Sequence, residues 1–152
     1  MDNLFDAIRQ GNLASLQNTL EEQPEKIHAK DQRGSTPLLL ATYYGNKEIV
    51  QYLLEKNPDL DTKDMAGNTA LMGVCFKGFL QVADLLIKAG AGVNATNGHG
   101  HTALIFAAMF NHAPIVELLL KNGANAAHQD HQGMTAKDHA EAKGWQNVVE
   151  LL

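Results

Sequence analysis

The chain has few of the residues that mark several common protein classes. Cys75 is the only cysteine among 152 residues, so an internal disulfide is impossible and a reducing compartment, the cytoplasm, is expected. Arg9 and Arg33 are the only arginines and the net charge is −5. Because phosphate binding needs clustered Lys and Arg, we expect no nucleic-acid partner. No apolar run reaches the roughly 18 residues that cross a bilayer, so we expect no membrane association.

Sequence signatures of catalysis are also lacking. The chain contains no G-x-S-x-G, no P-loop, no H-E-x-x-H and no C-x-x-C. We therefore expect a protein that is not an enzyme and needs no cofactor. With 45% hydrophobic and 19% charged residues, the composition is that of a folded domain and not of a disordered chain.

What the sequence does contain is a self-similarity with a period of 33 residues. Glycine recurs in register at Gly34, Gly67, Gly100 and Gly133, and threonine at Thr36, Thr69, Thr102 and Thr135. The apolar positions follow the same period at Ile49, Val82, Ile115 and Val148, and at Leu53, Leu86, Leu119 and Leu152. A period of about 20 to 50 residues is typical of stacked units that cannot bury their apolar faces alone.

The local signals within one unit predict a turn followed by two helices. Asp31 and Gly34 are typical of a turn, and Thr36 stands where a helix N-cap is needed, directly before a proline. A second helix is predicted over 47–55, since its apolar residues recur every three or four positions. The fold class expected is therefore all-α, with helix-turn-helix units stacked in one domain.

The period divides the single domain, 1–152, into five units. Three are full repeats, and a unit at each end is predicted to act as a cap because terminal units need a polar outer face. The N-terminal cap matches the repeats at an offset of 34 residues, with Ala7 and Gly11 corresponding to Ala41 and Gly45. The predicted boundaries are 1–30 for the N-terminal cap, 31–63, 64–96 and 97–129 for the full repeats, and 130–152 for the C-terminal cap.

These residues resemble the ankyrin repeat. Asp31 to Ala41 reads Asp-Gln-Arg-Gly-Ser-Thr-Pro-Leu-Leu-Leu-Ala, close to the family pattern Asp-x-x-Gly-x-Thr-Pro-Leu-His-x-Ala. The resemblance implies an ankyrin-repeat solenoid whose tips are turns or β-hairpins. One departure is that the family's His is replaced by Leu39, Met72 and Ile105, and by Asp138 in the cap, so apolar packing must replace its hydrogen bonds.

The resemblance also implies a function, the binding of a protein partner as a scaffold, adaptor or regulator. In ankyrin-like proteins, partners meet the turn tips and the exposed side of each first helix, on the concave face. The residues at these positions are rich in aromatic rings and methionine, which are enriched in interface cores. The predicted partner-binding residues are Arg33, Tyr43, Tyr44, Met65, Phe76, Lys77, His99, His101, Met109, Phe110, His131 and Met134. We expect at least three of Tyr44, Phe76, Met109 and Phe110 to be exposed.

A second pattern is the concentration of histidine toward the C-terminus. Six of the seven histidines follow residue 98, and His99, His101 and His131 lie on neighbouring tips. Zinc needs three or four converging ligands, and no carboxylate or thiol is spaced to complete such a set. Polar residues on solvated turns are the favoured interpretation, and a metal- or pH-responsive regulator is one alternative. The second alternative function is that of a dedicated regulatory partner of an enzyme.

The protein is expected to be a monomer.

Overall fold

The computed structural model describes residues 3–152, and these residues form α-helices and turns with no β-strand. The first helices of the five units are α1 (Leu4–Gln10), α3 (Pro37–Tyr44), α5 (Ala70–Lys77), α7 (Ala103–Met109) and α9 (Ala136–Lys143). The second helices are α2 (Leu13–Glu22), α4 (Lys47–Glu55), α6 (Leu80–Ala89), α8 (Ala113–Lys121) and α10 (Gln146–Val149). A 3-10 helix, Pro24–His28, follows α2. The all-α class and the second helix predicted over 47–55 are confirmed.

A threonine N-cap begins the first helix of every unit after the N-terminal cap. The hydroxyl of Thr36 accepts a hydrogen bond from the Leu39 N–H at 3.3 Å, and Thr69, Thr102 and Thr135 repeat the contact. Each bond satisfies an N–H group that the helix itself leaves unpaired. In the C-terminal cap the Asp138 carboxylate also accepts from the Thr135 N–H, so the residue that replaces the family's His completes a capping box.

The units stack so that first helices contact first helices and second helices contact second helices. Contacts run in series from α1 through α3, α5 and α7 to α9, and from α4 through α6 and α8 to α10. The periodic apolar residues from Ile49 to Val148 and from Leu53 to Leu119 are buried between the layers, and only Leu152 is half-buried. Leu39, Met72 and Ile105 are buried as well, as expected of apolar replacements for the family's His.

The turn tips repeat one hydrogen-bonded motif. Asp31 Oδ1 accepts from the N–H groups of Arg33 and Ser35, and Gly34 takes a φ of 76°, which suits a residue without a Cβ. Asp64, Asn97 and Asp130 form the same turn in the following units. Because the motif is rigid and repeated, it places the side chains of the tips in register along the stack.

Side chains at a second periodic position tie each of the last two units to the one before it. His112 Nε2 lies 3.0 Å from the Phe76 carbonyl oxygen, and Trp145 Nε1 donates to the Met109 carbonyl at 3.1 Å. Both residues directly precede a second helix, and both reach the C-terminal end of the preceding unit's first helix. Trp145 therefore joins the C-terminal cap to the last full repeat.

Candidate partner-binding groove

An open groove of about 1130 Å³ runs between the turn tips and the first helices at the N-terminal half of the stack. It spans the N-terminal cap and the first two full repeats, and α7 contributes Phe106. Since the tips form one wall and the first helices the other, the residues that face a molecule in the groove come from several units at once. We call this feature the groove.

Half of the predicted partner-binding residues line the groove. These six are Arg33, Tyr43, Tyr44, Met65, Phe76 and Lys77. Met65, at the tip of the second full repeat, is 81% exposed, and the three rings are 45% to 51% exposed. Tyr44, Phe76 and Phe110 are all exposed while Met109 is half-buried, which meets the expectation of at least three exposed residues among the four.

Aromatic rings in the groove and just beyond it contact one another across repeat boundaries. Phe76 lies edge-on to Phe110 with 4.6 Å between ring centroids, and to Phe106 at 6.3 Å. Lys77 Nζ lies 4.3 Å from the centre of the Tyr43 ring of the preceding repeat, within cation–π range. Phe76, Phe106 and Phe110 therefore form an aromatic strip, and Lys77 links the neighbouring Tyr43 to the same repeat as Phe76.

The aromatic and cationic groove residues that the sequence analysis missed are Phe5, Arg9, Lys30 and Phe106. A signal for Arg9 was present, because at the 34-residue offset of the N-terminal cap it corresponds to Tyr43. Both arginines of the chain therefore lie at the groove. Phe106 occupies the same repeat position as Leu40 and Gly73, and the period alone did not indicate that this position faces the groove.

The other six predicted residues do not line the groove. Met109 and Met134 are half-buried, while Phe110 is exposed just beyond the groove and contacts Phe76. His99 and His131 are exposed on tips that are joined through the backbone, the His131 N–H donating to the His99 carbonyl at 3.0 Å.

The histidine set differs from the one that the sequence predicted. His101 is joined by His139 of α9, in place of His99 and His131, around the carboxylate of Asp130. Asp130 Oδ2 lies 2.7 Å from His139 Nε2 and 3.3 Å from His101 Nε2. The expectation that no carboxylate is spaced to join the histidines is wrong, because Asp130 belongs to the next unit along the stack.

A family model for ankyrin repeats (three copies) matches residues 4–97 and 74–152. The chain belongs to the ankyrin repeat family. This membership agrees with the ten-helix stack of the described residues and confirms the resemblance noted in the sequence. None of the helices in residues 3–152 has the length and apolar character needed to cross a membrane.

Curated ankyrin relatives are similar to part of the chain. Protein fem-1 homolog C of Danio rerio is 41% identical over 56 residues, which cover 34% of this chain and 9% of that protein. Ankyrin repeat and SAM domain-containing protein 6 of Mus musculus is 34% identical over 58 residues, covering 38% of this chain and 7% of that protein. The matches thus span less than a tenth of either relative's length.

Electrostatics at the last junction of the ankyrin stack centre on Asp130. Burial raises the pKa of Asp130, but hydrogen bonds from His139 and from the Met134 and Gln132 N–H groups outweigh it, and the pKa falls to about 2. Burial lowers the pKa of His101 below its usual range, against the opposing effect of the Asp130 carboxylate. Both shifts favour an ionised Asp130 beside a neutral His101 at neutral pH.

Acid is expected to remove the stabilisation that Asp130 contributes. Its folded-state pKa, about 2, lies below the ordinary aspartic acid pKa of 3.8, so the contribution is complete above pH 3.8 and disappears as the pH falls through about 2. We expect the difference in unfolding free energy between the wild type and Asp130→Asn to shrink over that range. Urea unfolding at several pH values, with a chelator present, measures it.

Asparagine is the appropriate substitution, because Asn97 forms the same turn with hydrogen bonds of 2.9 and 3.0 Å. The turn is therefore preserved when the carboxylate is removed. If the difference in unfolding free energy between the wild type and Asp130→Asn stays constant from pH 5 to pH 2, the ionised Asp130 carboxylate does not contribute the stabilisation described.

Proposed function

We propose that this chain is a protein-binding module that holds a segment of a partner in the groove. Ankyrin repeats are generally protein–protein interaction modules, and this family is generally non-enzymatic. The observation that carries the proposal is the distribution of exposed large apolar side chains. Within residues 3–152 these are Tyr43, Tyr44, Met65, Phe76, Leu80 and Phe110, and all but Leu80 lie on the predicted face. A contiguous exposed apolar patch is typical of an interaction site.

The charges of the groove favour a partner segment with carboxylates beside its apolar side chains. Four cationic side chains line the groove, from Arg9, Lys30, Arg33 and Lys77, against the two carboxylates of Asp31 and Asp64. Asp31 and Asp64 each use one oxygen to hold a turn, and Arg9 is paired with Asp6 at 3.0 Å and lies 3.5 Å from Asp31. The groove is therefore locally positive on a chain whose net charge is −5.

The mechanism we propose is rigid presentation. The tips are fixed by hydrogen-bonded turns, and the first helices are fixed by buried contacts to their neighbours. A binding surface that is ordered before contact loses little conformational entropy on binding. The partner supplies the flexible element and the stack supplies the template.

The same proposal covers oligomeric state, activity, contact face and cellular location. The chain acts as a monomer without catalysis, as a scaffold, an adaptor or a regulator, and its partner contacts lie on the concave face. It works in the cytoplasm, which agrees with a single cysteine, Cys75, buried as a thiol whose pKa is raised by burial. The alternative is that the chain is a dedicated regulator of one enzyme. In that event the enzyme is expected to co-purify with the chain in equal amounts.

Affinity capture from the source cell tests the proposal. The triple variant Tyr44→Ala, Phe76→Ala, Phe110→Ala is expected to lose the partner that the wild type retains. The matched control is Leu80→Ala, which removes an apolar side chain that is exposed to a similar extent, 41%, but does not line the groove. A partner retained by the triple variant, at unchanged helix content, would contradict the proposal.

A further inference from the structure

Three side chains with metal-ligating atoms converge where the last full repeat meets the C-terminal cap. His101 comes from the tip of the repeat, Asp130 from the first turn of the cap, and His139 from α9. The ligating atoms all lie within 4.8 Å of one another, with Asp130 Oδ2 facing both Nε2 atoms. We call these three residues the junction triad.

The register of the repeats explains why the triad forms at this junction. One junction earlier, Asn97 Nδ2 donates to Asn68 Oδ1 at 3.0 Å, so the stack brings these two register positions together. The His101 position is Ser35 and Asn68 in the two preceding repeats, and the His139 position is Leu40, Gly73 and Phe106 in the preceding units. Two imidazoles facing one carboxylate therefore arise only at the last junction.

The two carboxylate oxygens of Asp130 have separate roles. Oδ1 accepts from the N–H groups of Gln132 and Met134 and so holds the turn. Oδ2 points toward the two imidazoles. The turn thus fixes the orientation of the carboxylate, and Oδ2, which takes no part in the turn, faces His101 and His139. The side chains are 1% exposed for Asp130, 12% for His139 and 21% for His101, so the triad is largely enclosed but reachable from solvent at the imidazoles.

We propose that the junction triad binds one divalent first-row transition metal ion of the zinc type. The ligands are Nε2 of His101, Oδ2 of Asp130 and Nε2 of His139, and water or an external donor completes the coordination. Imidazole and carboxylate together suit zinc and its neighbours, and three protein ligands are enough to hold the ion with one position open.

The two distances from imidazole nitrogen to Asp130 Oδ2 are close to those around a tetrahedral ion, and the two imidazole nitrogens lie within 4.8 Å of each other. Bonds of about 2.0–2.1 Å place ligand atoms roughly 3.3 Å apart, which is the separation of His101 Nε2 from Asp130 Oδ2. The pair formed by His139 and Asp130 is now at hydrogen-bond distance, 2.7 Å, and opens by about 0.6 Å when the ion replaces the shared proton. Each imidazole then carries its proton on Nδ1.

Metal binding at the triad connects the cap to the last repeat, since the ligands come from both. The ion binds the folded chain and not the separated segments, so it raises the midpoint of thermal unfolding, by about 5 °C or more at one hundred times Kd. The His101 ring also lies edge-on to Phe106, with 5.4 Å between centroids, and Phe106 lines the groove. The triad therefore adjoins the partner-binding face without being part of it.

The test uses the untagged, chelator-treated full chain. Titration with ZnCl2 by calorimetry is expected to show one saturable site per chain, and CoCl2 is expected to give the intense visible bands of a low-symmetry, four-coordinate site. His139→Asn and Asp130→Asn are each expected to weaken zinc binding at least about tenfold. His99→Asn and His131→Asn, matched controls on the same two tips, are expected to leave the affinity unchanged.

Two results would overturn the proposal. One is the lack of saturable binding at zinc concentrations up to about 100 μM, which corresponds to a site too weak to be specific. The other is an equal loss of affinity in His99→Asn or His131→Asn, which would assign binding to exposed tip histidines. Circular dichroism checks that each variant is folded. If His139→Asn is unfolded, Asp130→Asn decides the outcome, because Asn97 shows that asparagine supports this turn.

Discussion

Replacing Leu86 with alanine is expected to lower the free energy of unfolding by about 2–5 kcal/mol. Leu86 has no exposed surface in α6, and α6 contacts α5 of its own repeat and α4 and α8 of the two neighbouring repeats. Truncation removes buried methyl groups and leaves a cavity that helices held on three sides cannot close. Because each unit in a stack is stabilised through its interfaces, a defect in a middle unit weakens both neighbours. Urea unfolding followed by circular dichroism measures the loss.

Leu80→Ala is the matched control for that measurement. Leu80 lies in the same helix but is 41% exposed, so the same truncation is expected to cost less than about 1 kcal/mol. If Leu86→Ala changed the unfolding free energy by less than about 0.5 kcal/mol, the register of the repeats as described would be contradicted.

Replacing Phe76 with alanine is expected to weaken partner binding by about 30-fold or more, the roughly 2 kcal/mol that defines a binding hot spot. Phe76 lies in the middle of the aromatic strip, in contact with Phe106 and Phe110, and 45% of its surface is exposed before a partner arrives. Aromatic side chains near the centre of an interface carry a large share of the binding energy because the partner fully desolvates them. Calorimetry with the captured partner measures the change.

The same Leu80→Ala variant separates this effect from a general loss of exposed apolar surface. Leu80 and Phe76 belong to the same repeat and are exposed to similar extents, but only Phe76 lines the groove. We expect Leu80→Ala to bind the partner with wild-type affinity. Equal weakening by the two substitutions would place the contact outside the groove.

The fold could be predicted from the sequence because its determinants are local and repeated. Thr36 caps a helix through the N–H three residues away, and the helix Lys47–Glu55 follows from its own apolar spacing. The pattern recurs every 33 residues, so a helix placed wrongly in one unit would disagree with the equivalent positions of the other units. Local chemistry and period together were therefore enough for the helices, the turns and the stacking order.

The sequence predicted a partner-binding face of tips and first helices, but it did not predict a groove. Tyr43 and Phe76 were identified from their register on the first helices, whereas Arg9 lies in a cap that is shifted by one residue. Groove volume depends on how far the tips stand from the helices, which is a property of the stack and not of any single unit. The concentration of the groove at the N-terminal half could not be derived from a pattern shared by all units.

The junction triad could not be predicted from the sequence, because its residues are distant in the chain and meet only in the folded stack. His101 and Asp130 are 29 residues apart, and Asp130 and His139 are 9 apart, and neither separation matches a helical or a strand spacing. The three meet because a tip of one unit lies against the turn of the next, as the contact of Asn97 with Asn68 already shows. Neighbouring histidines on the tips, His99 and His131, gave the stronger sequence signal but lie outside the set that converges.

Amide hydrogen exchange of the free chain and of its complex with the captured partner tests the central claim most directly. If the groove holds the partner, protection is expected at the tips around Arg33 and Met65 and at the C-terminal ends of α3 and α5. The second helices α4, α6 and α8 are then expected to exchange as in the free chain. Protection confined to those second helices, with the tips unchanged, would contradict the account.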